Sequence, residues 1–169
     1  PTASTTAMLA MGDALAVVVA ERRGFKERDF ALFHPGGQLG KRLLLRVRDL
    51  MRTGAENPIV TGTALVKAAL LAITKARAGC ASVVDARGRL LGIFTDGDLR
   101  RHLEATPNLM EARVQDVMTK TPKTIQADRL AAEALRLLRE NRIDELVVVD
   151  ARRRPVGLLD VQDLLKAGF

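Results

Sequence analysis

The sequence predicts an α/β fold in which one small unit is used twice. Three observations carry that prediction. Val47-Arg48-Asp49-Leu50-Met51 returns 67 residues later as Val114-Gln115-Asp116-Val117-Met118. Val83-Val84-Asp85-Ala86-Arg87-Gly88-Arg89 returns 65 residues later as Val148-Val149-Asp150-Ala151-Arg152-Arg153-Arg154. Each copy also mixes β-branched runs with an apolar stripe at helical spacing, so strand and helix alternate within it. The two-residue difference falls in the loop after the first Met, where Arg52-Thr53-Gly54-Ala55-Glu56-Asn57 is the longer version. Matched blocks in the same order mark a repeat architecture.

The elements of each copy follow in order. Ile59-Val60 is a short strand after Pro58, matched by Thr124-Ile125. Leu65, Val66, Ala69, Leu70 and Ile73 form a helical stripe, repeated by Leu130, Ala131, Ala134, Leu135 and Leu138. Ala81-Ser82-Val83-Val84 and Leu146-Val147-Val148-Val149 are strands. Asp85 to Gly88 and Asp150 to Arg153 are hairpin turns. A second strand follows in each copy, Leu90-Leu91-Gly92-Ile93-Phe94 and Pro155-Val156-Gly157-Leu158-Leu159, then a helix beginning near Asp98-Leu99 and Asp163-Leu164. The order is strand, helix, strand, strand, helix. One such unit buries a sheet face poorly, and two stacked units share a core.

Residues 1–46 stand outside the repeat. Thr5 or Thr6 is expected to cap a helix over about residues 7–22, with Gly24 at its C-terminal end. Phe33-His34-Pro35-Gly36-Gly37-Gln38-Leu39-Gly40 reads as a turn or loop. The stretch is too short for a domain and too apolar for a linker, and is expected to be the tail of a larger one. A start at Pro1 without Met fits a fragment.

The 169 residues are 47% apolar and 28% charged, enough core for one ordinary domain or two small ones, which excludes disorder along the whole chain. The single cysteine, Cys80, excludes an internal disulfide and a Cys-based zinc site, and two distant histidines give no metal spacing. No run of about 18 uncharged apolar residues is present, Asp13 interrupts the first one, and no basic n-region precedes it. A cytoplasmic protein with no membrane partner is expected. The net charge is +7, but basic residues are scattered among acids and aromatics are 3%, with no Trp or Tyr. Stacking platforms for nucleic acid are missing. A basic pocket for a small anion is the better use of the charge.

The repeat resembles the cystathionine-β-synthase (CBS) domain pair over about residues 46–169. Its marks are the Val-x-Asp-hydrophobic-Met start, the Val-Val-Asp hairpin and Gly92-Ile93-Phe94-Thr95-Asp96-Gly97-Asp98-Leu99. Ser4-Thr5-Thr6-Ala7-Met8, Met11-Gly12-Asp13-Ala14-Leu15-Ala16 and the segment Phe33 to Gly40 resemble the end of a sugar-isomerase (SIS) domain. The combination resembles the arabinose-5-phosphate isomerase family. That implies an isomerase remnant at 1–45, a first CBS repeat at 46–105 and a second at 106–169. It implies a parent enzyme that interconverts ribulose 5-phosphate and arabinose 5-phosphate for 3-deoxy-D-manno-octulosonate (Kdo) and lipopolysaccharide synthesis. The present chain would be inactive alone, a dimer through the CBS pair and a tetramer at full length.

The resemblance also implies site residues. His34 falls at a catalytic histidine, and an imidazole titrates where acid–base work on a sugar phosphate needs it. Thr95 and Asp98 form the Thr-x-x-Asp motif whose hydroxyl approaches phosphate and whose carboxylate takes a ribose diol. The same motif is a helix capping box. In the second copy Asp163 keeps the carboxylate, while Asp160 replaces the hydroxyl and repels phosphate, so one better and one impaired nucleotide site are expected. Arg100, Arg101 and Arg142 are candidates to neutralise a phosphate or sugar carboxylate. Exposed positions are the simpler reading for any one of them, as for Arg152-Arg153-Arg154 and His102. Cys80 reads as a small buried residue. No cofactor for chemistry and no metal are implied. The regulatory ligand is an adenine nucleotide or the cytidine monophosphate ester of Kdo (CMP-Kdo). A structural oligomerisation module with empty clefts is the alternative.

Overall fold

A computed structural model describes residues 2–26, 29 and 38–169. They fall into two compact units divided between Leu44 and Leu45. The first contains helix α1 (Ala3–Arg22) and helix α2 (Gln38–Leu44). Helix α1 starts earlier than the sequence suggested because Thr2 is its cap. Thr5 N donates to Thr2 Oγ1 at 3.5 Å, and Thr2 N donates to Thr5 Oγ1 at 3.0 Å. Thr5 therefore sits at the third helical position of a capping box. Gly24 follows the helix at φ 64°, the left-handed conformation that glycine adopts freely. Helix α1 carries Asp13 within an otherwise apolar stretch. By length and composition α1 is apolar enough to cross a membrane, and the same composition suits a helix packed inside a soluble domain. One aspartate in a 20-residue helix does not offset its many Ala, Val, Leu and Met residues.

The second unit carries the repeat. Its first copy runs β1 (Ile59–Thr61), α3 (Val66–Ala76), β2 (Cys80–Val84), β3 (Leu90–Thr95) and α4 (Asp96–His102). After a short helix α5 (Val114–Val117) and strand β4 (Thr119–Lys120), the second copy runs β5 (Thr124–Gln126), α6 (Ala131–Asn141), β6 (Glu145–Val149), β7 (Pro155–Asp160) and α7 (Val161–Lys166). The predicted order is present twice. Strand β1 pairs with β2 in parallel, which requires the crossover helix α3 between them, and β2 pairs with β3 in antiparallel. Strands β5, β6 and β7 repeat this arrangement. The central strands β2 and β6 are buried almost throughout, which explains their unbroken Val-rich runs.

The turns after β2 and β6 are built by Asp85 and Asp150. Each Oδ1 accepts two backbone N–H bonds at 2.8 Å, from Arg87 and Arg89 in one turn and from Arg152 and Arg154 in the other. These bonds hold the Asp85 carboxyl below its ordinary titration range. Gly88 supplies the left-handed residue in the first turn, at φ 75°, and Arg153 does so in the second, at φ 59°.

The lead segments are exchanged between the copies. Val47, Leu50 and Met51 precede the first copy but pack with Leu135, Leu138, Leu146 and Leu159 of the second. Val114, Val117 and Met118 pack with Val66, Ile73 and Phe94 of the first. Backbone pairing follows the same exchange. Strand β4 extends the first sheet by pairing Thr119 with Ile93, and Arg52 bridges Leu158 in the second. A third cluster of Cys80, Leu90, Ile93, Val147, Val149 and Leu158 forms the seam between copies. Cys80 is fully buried there. Burial, with the nearby Glu145 carboxylate, pushes its thiol well up, so it is no reactive nucleophile.

Candidate functional site

Two clefts lie at equivalent places in the repeat, and the side chains that fill them differ. The first, about 550 Å³, is lined from one copy by Thr95, Asp96, Gly97, Arg100 and Arg101 and from the other by Asn141, Arg142, Asp144 and Glu145, with Thr119, Thr121 and Lys123 from the connecting segment. A ligand there touches both copies. Its volume lies within the usual range for small-molecule sites.

Thr95 and Asp98 reach this cleft through the turn from β3 into α4. Thr95 caps α4 and Asp98 N donates to Thr95 Oγ1 at 3.2 Å. Asp98 Oδ2 accepts from Thr95 N and from Thr95 Oγ1, both at 2.9 Å. Its Oδ1 accepts from Thr119 Oγ1 at 2.7 Å and from Arg101 Nη2. Asp98 is 1% exposed, while the Arg101 side chain covering it is 63% exposed. The capping reading of Thr95-x-x-Asp98 is therefore realised in full. Arg101 and Thr119 together cover the Asp98 carboxylate, and Arg101 is the exposed member of the pair.

Charge in the first cleft is mixed. Arg100, Arg101, Arg142 and Lys123 supply cations, and Asp96, Asp144 and Glu145 supply carboxylates. Glu145, at the start of β6, titrates at about 7. Burial is the main cause, and repulsion from Asp160, Asp144 and Asp96 adds to it. Its carboxylate fills the space beside Gly79 that a Cβ would need.

Asp163 is not part of this cleft. It lines the second, about 540 Å³, with Arg52, Glu56, Lys75, Arg77 and Lys166. There Arg52 Nε donates to Asp163 Oδ2 at 2.7 Å and Arg52 Nη2 to Asp163 Oδ1 at 3.1 Å. Arg52 Nη2 also reaches Asp160 Oδ2 at 3.4 Å, and Nη1 donates to the Arg77 carbonyl at 3.1 Å. The bonds to Asp163 hold the guanidinium charge above its ordinary titration point, against the opposing effect of burial. Asp160 caps α7 by accepting from Gln162 N at 2.7 Å. The bare repulsive carboxylate expected at Asp160 is thus offset by a guanidinium.

Four sequence candidates, Thr95, Arg100, Arg101 and Arg142, share the first cleft. Asp98 lies behind its wall, Asp163 lies in the other cleft, and His34 is outside the described residues. Arg152, Arg153 and Arg154 are exposed, and His102 is half-buried in the last turn of α4. Sequence reasoning passed over Arg52, Thr119 and Glu145. A usable signal existed for the first pair: each directly follows the repeated Met, at Met51 and Met118.

The CBS domain family matches residues 47–105 and again 114–169. The chain belongs to the CBS-domain family. Its CBS pair is similar in structure to the CBS domain pair of protein MJ0100 in complex with 5'-methylthioadenosine and S-adenosyl-L-methionine. The TM-score is 0.64 at 21% identity, over 72% of this chain and 93% of that one. It is also similar to CBSX2 in complex with AMP, with TM-score 0.61 at 25% identity over 73% and 95% of the two chains. In sequence the whole chain is 50% identical over 169 residues to the arabinose 5-phosphate isomerase KdsD of Pseudomonas aeruginosa, covering 99% of this chain and 52% of that protein. The chain spans about half the length of the curated relatives it matches.

Proposed function

We propose that the CBS pair is a sensor that binds a nucleotide-type anion in the first cleft and biases an arabinose-5-phosphate isomerase of which it is part. The observation that carries this reading is the convergence of Arg100, Arg101, Arg142 and Lys123 with the hydroxyls of Thr95, Thr119 and Thr121 on one cleft between the copies. Guanidinium groups match the planar oxygens of phosphate and carboxylate. The solved relatives named above hold adenosine compounds, which supports a nucleoside part. An adenine nucleotide and CMP-Kdo both meet these requirements. The second adds a sugar carboxylate for the arginines and closes a feedback loop on Kdo and lipopolysaccharide synthesis. His34 is proposed as an acid–base residue of the isomerase, which acts as a cytoplasmic homo-oligomer. Regulation requires the ligand to bind two states of the enzyme unequally, and a cleft built from both copies responds to any shift between them.

The test is thermal unfolding of the chain with AMP and with CMP-Kdo. At about 100 times its dissociation constant, a ligand adds roughly 2.7 kcal/mol of stability. A second reading, a CBS pair that only assembles subunits, is favoured by exposed apolar side chains such as Leu71 at 64% and Leu103 at 60%. It predicts a dimer by light scattering and no stabilisation by any nucleotide.

A further inference from the structure

The two clefts are related residue by residue, so their differences are informative. Arg52 pairs with Leu158 as Thr119 pairs with Ile93, and both follow the repeated Met. Asp160 and Asp163 stand where Thr95 and Asp98 stand in the first cleft. Asp98 is held by a threonine hydroxyl and by an arginine that is 63% exposed. Asp163 is held by two nitrogens of Arg52, and both side chains are 16% exposed. The same guanidinium reaches Asp160 and the Arg77 carbonyl, so three of its groups are spent inside the cleft. A nucleotide entering there would have to strip two carboxylates of their shared cation. Removing one partner of such a pair is strongly unfavourable.

We infer that Arg52 is a built-in occupant of the second cleft, standing in for a ligand, so that each chain takes up one nucleotide and takes it in the first cleft. The inference rests on the nucleotide reading of the first cleft and goes beyond it, because it assigns Arg52 the role of deciding where a ligand binds. It also names the change that would open the closed cleft. Arg52→Thr with Asp160→Thr gives the second cleft the hydroxyl–carboxylate–hydroxyl arrangement of Thr95, Asp98 and Thr119.

Calorimetric titration of the chain with AMP tests it. The wild type should bind one AMP per chain, with any second event at least about 100-fold weaker. The double variant, with a native circular dichroism spectrum, should bind two. A wild type that binds two with similar affinity overturns the inference while leaving the nucleotide reading intact. So does a folded double variant that still binds one. If neither protein binds AMP, CMP-Kdo replaces it in the same titration, and no binding of either ligand ends the nucleotide reading and this inference with it. Should the double variant fail to fold, the side-chain Nε–H resonances of the wild type decide. On saturation with AMP the Arg101 signal should move and the Arg52 signal should stay. Movement of both overturns the inference.

Discussion

Gly92 lies against the carbonyl of Thr119: a Cβ on the glycine would stand 2.7 Å from that oxygen. That Cβ would also stand 2.5 Å from the Met118 sulfur. At the equivalent place in the second copy, a Cβ on Gly157 would stand 2.7 Å from Met51 Sδ and 3.0 Å from the Arg52 carbonyl. The exchanged lead segments thus cross the sheets where only a glycine lets them approach. Gly92→Ala and Gly157→Ala should both destabilise the fold, by about 1–3 kcal/mol, as overpacking usually does. Gly92→Ala should cost more, because the backbone oxygen it meets is closer, 2.7 Å against 3.0 Å, and a backbone atom yields less readily than a side chain. Urea unfolding of the two variants measures the order, and equal or negligible losses would contradict the crossing.

Arg153 holds a left-handed backbone, at φ 59°, that its counterpart Gly88 adopts without strain. Its side chain is exposed and its carbonyl accepts from Leu90 N at 2.9 Å, a bond that any residue can make. Arg153→Gly should therefore stabilise the protein by roughly 0.5 kcal/mol, as relief of the left-handed cost outweighs added chain entropy. Gly88→Ala should do the reverse, by about 1 kcal/mol. Melting temperatures that move in the same direction would refute the assignment of strain.

Glu145 titrates at about 7 in the folded chain, up from an ordinary value of 4.5. A carboxyl raised on folding favours the folded state when protonated. Its contribution is complete below about 4.5 and is lost as the pH rises through 7. Partial exposure of Glu145 tempers the size of the effect. Glu145→Gln should raise the urea midpoint at pH 8 and leave it nearly unchanged at pH 4, where the acid is already neutral. A variant no more stable than wild type at pH 8 would remove burial and repulsion as the cause.

Asp98 and Asp163 separate ligand binding from capping. Asp98→Ala removes four hydrogen bonds at a residue that is 1% exposed, so a stability loss of at least about 1 kcal/mol is expected whether or not a ligand binds. If the carboxylate also takes a diol, AMP affinity should fall more than about tenfold, since a bond to a charged group is worth roughly 1.5–3 kcal/mol. Asp163→Ala removes the two shortest carboxylate bonds of Arg52, leaving it the longer one to Asp160, and should destabilise the chain with little change in AMP affinity. Unchanged affinity in Asp98→Ala, beside a lower melting temperature, would leave Thr95-x-x-Asp98 as a helix cap alone.

Much of this was legible in the sequence, for a local reason. Strand runs, helical stripes and Asp-built turns depend on neighbours a few residues away, so the doubled order of elements could be read from spacing. The cap of α1 was misplaced by a few residues because Thr2, Thr5 and Thr6 are chemically alike, and only backbone geometry separates them. The inequality of the two clefts was also legible, in Thr95 against Asp160. Its physical basis was not, because Arg52 and Asp163 are 111 residues apart. Sequence order places Val47 to Arg52 with the first copy, whereas packing gives them to the second. Each copy leaves an apolar sheet face and an unpaired strand edge that its own segment cannot cover. The other copy's lead covers them, and that exchange brings Arg52 to Asp163 and Thr119 to Asp98. The sequence by itself determined two copies of one unit and the side chains each would offer. The tertiary structure alone decided which carboxylate meets a largely buried cation and which lies beneath an exposed one.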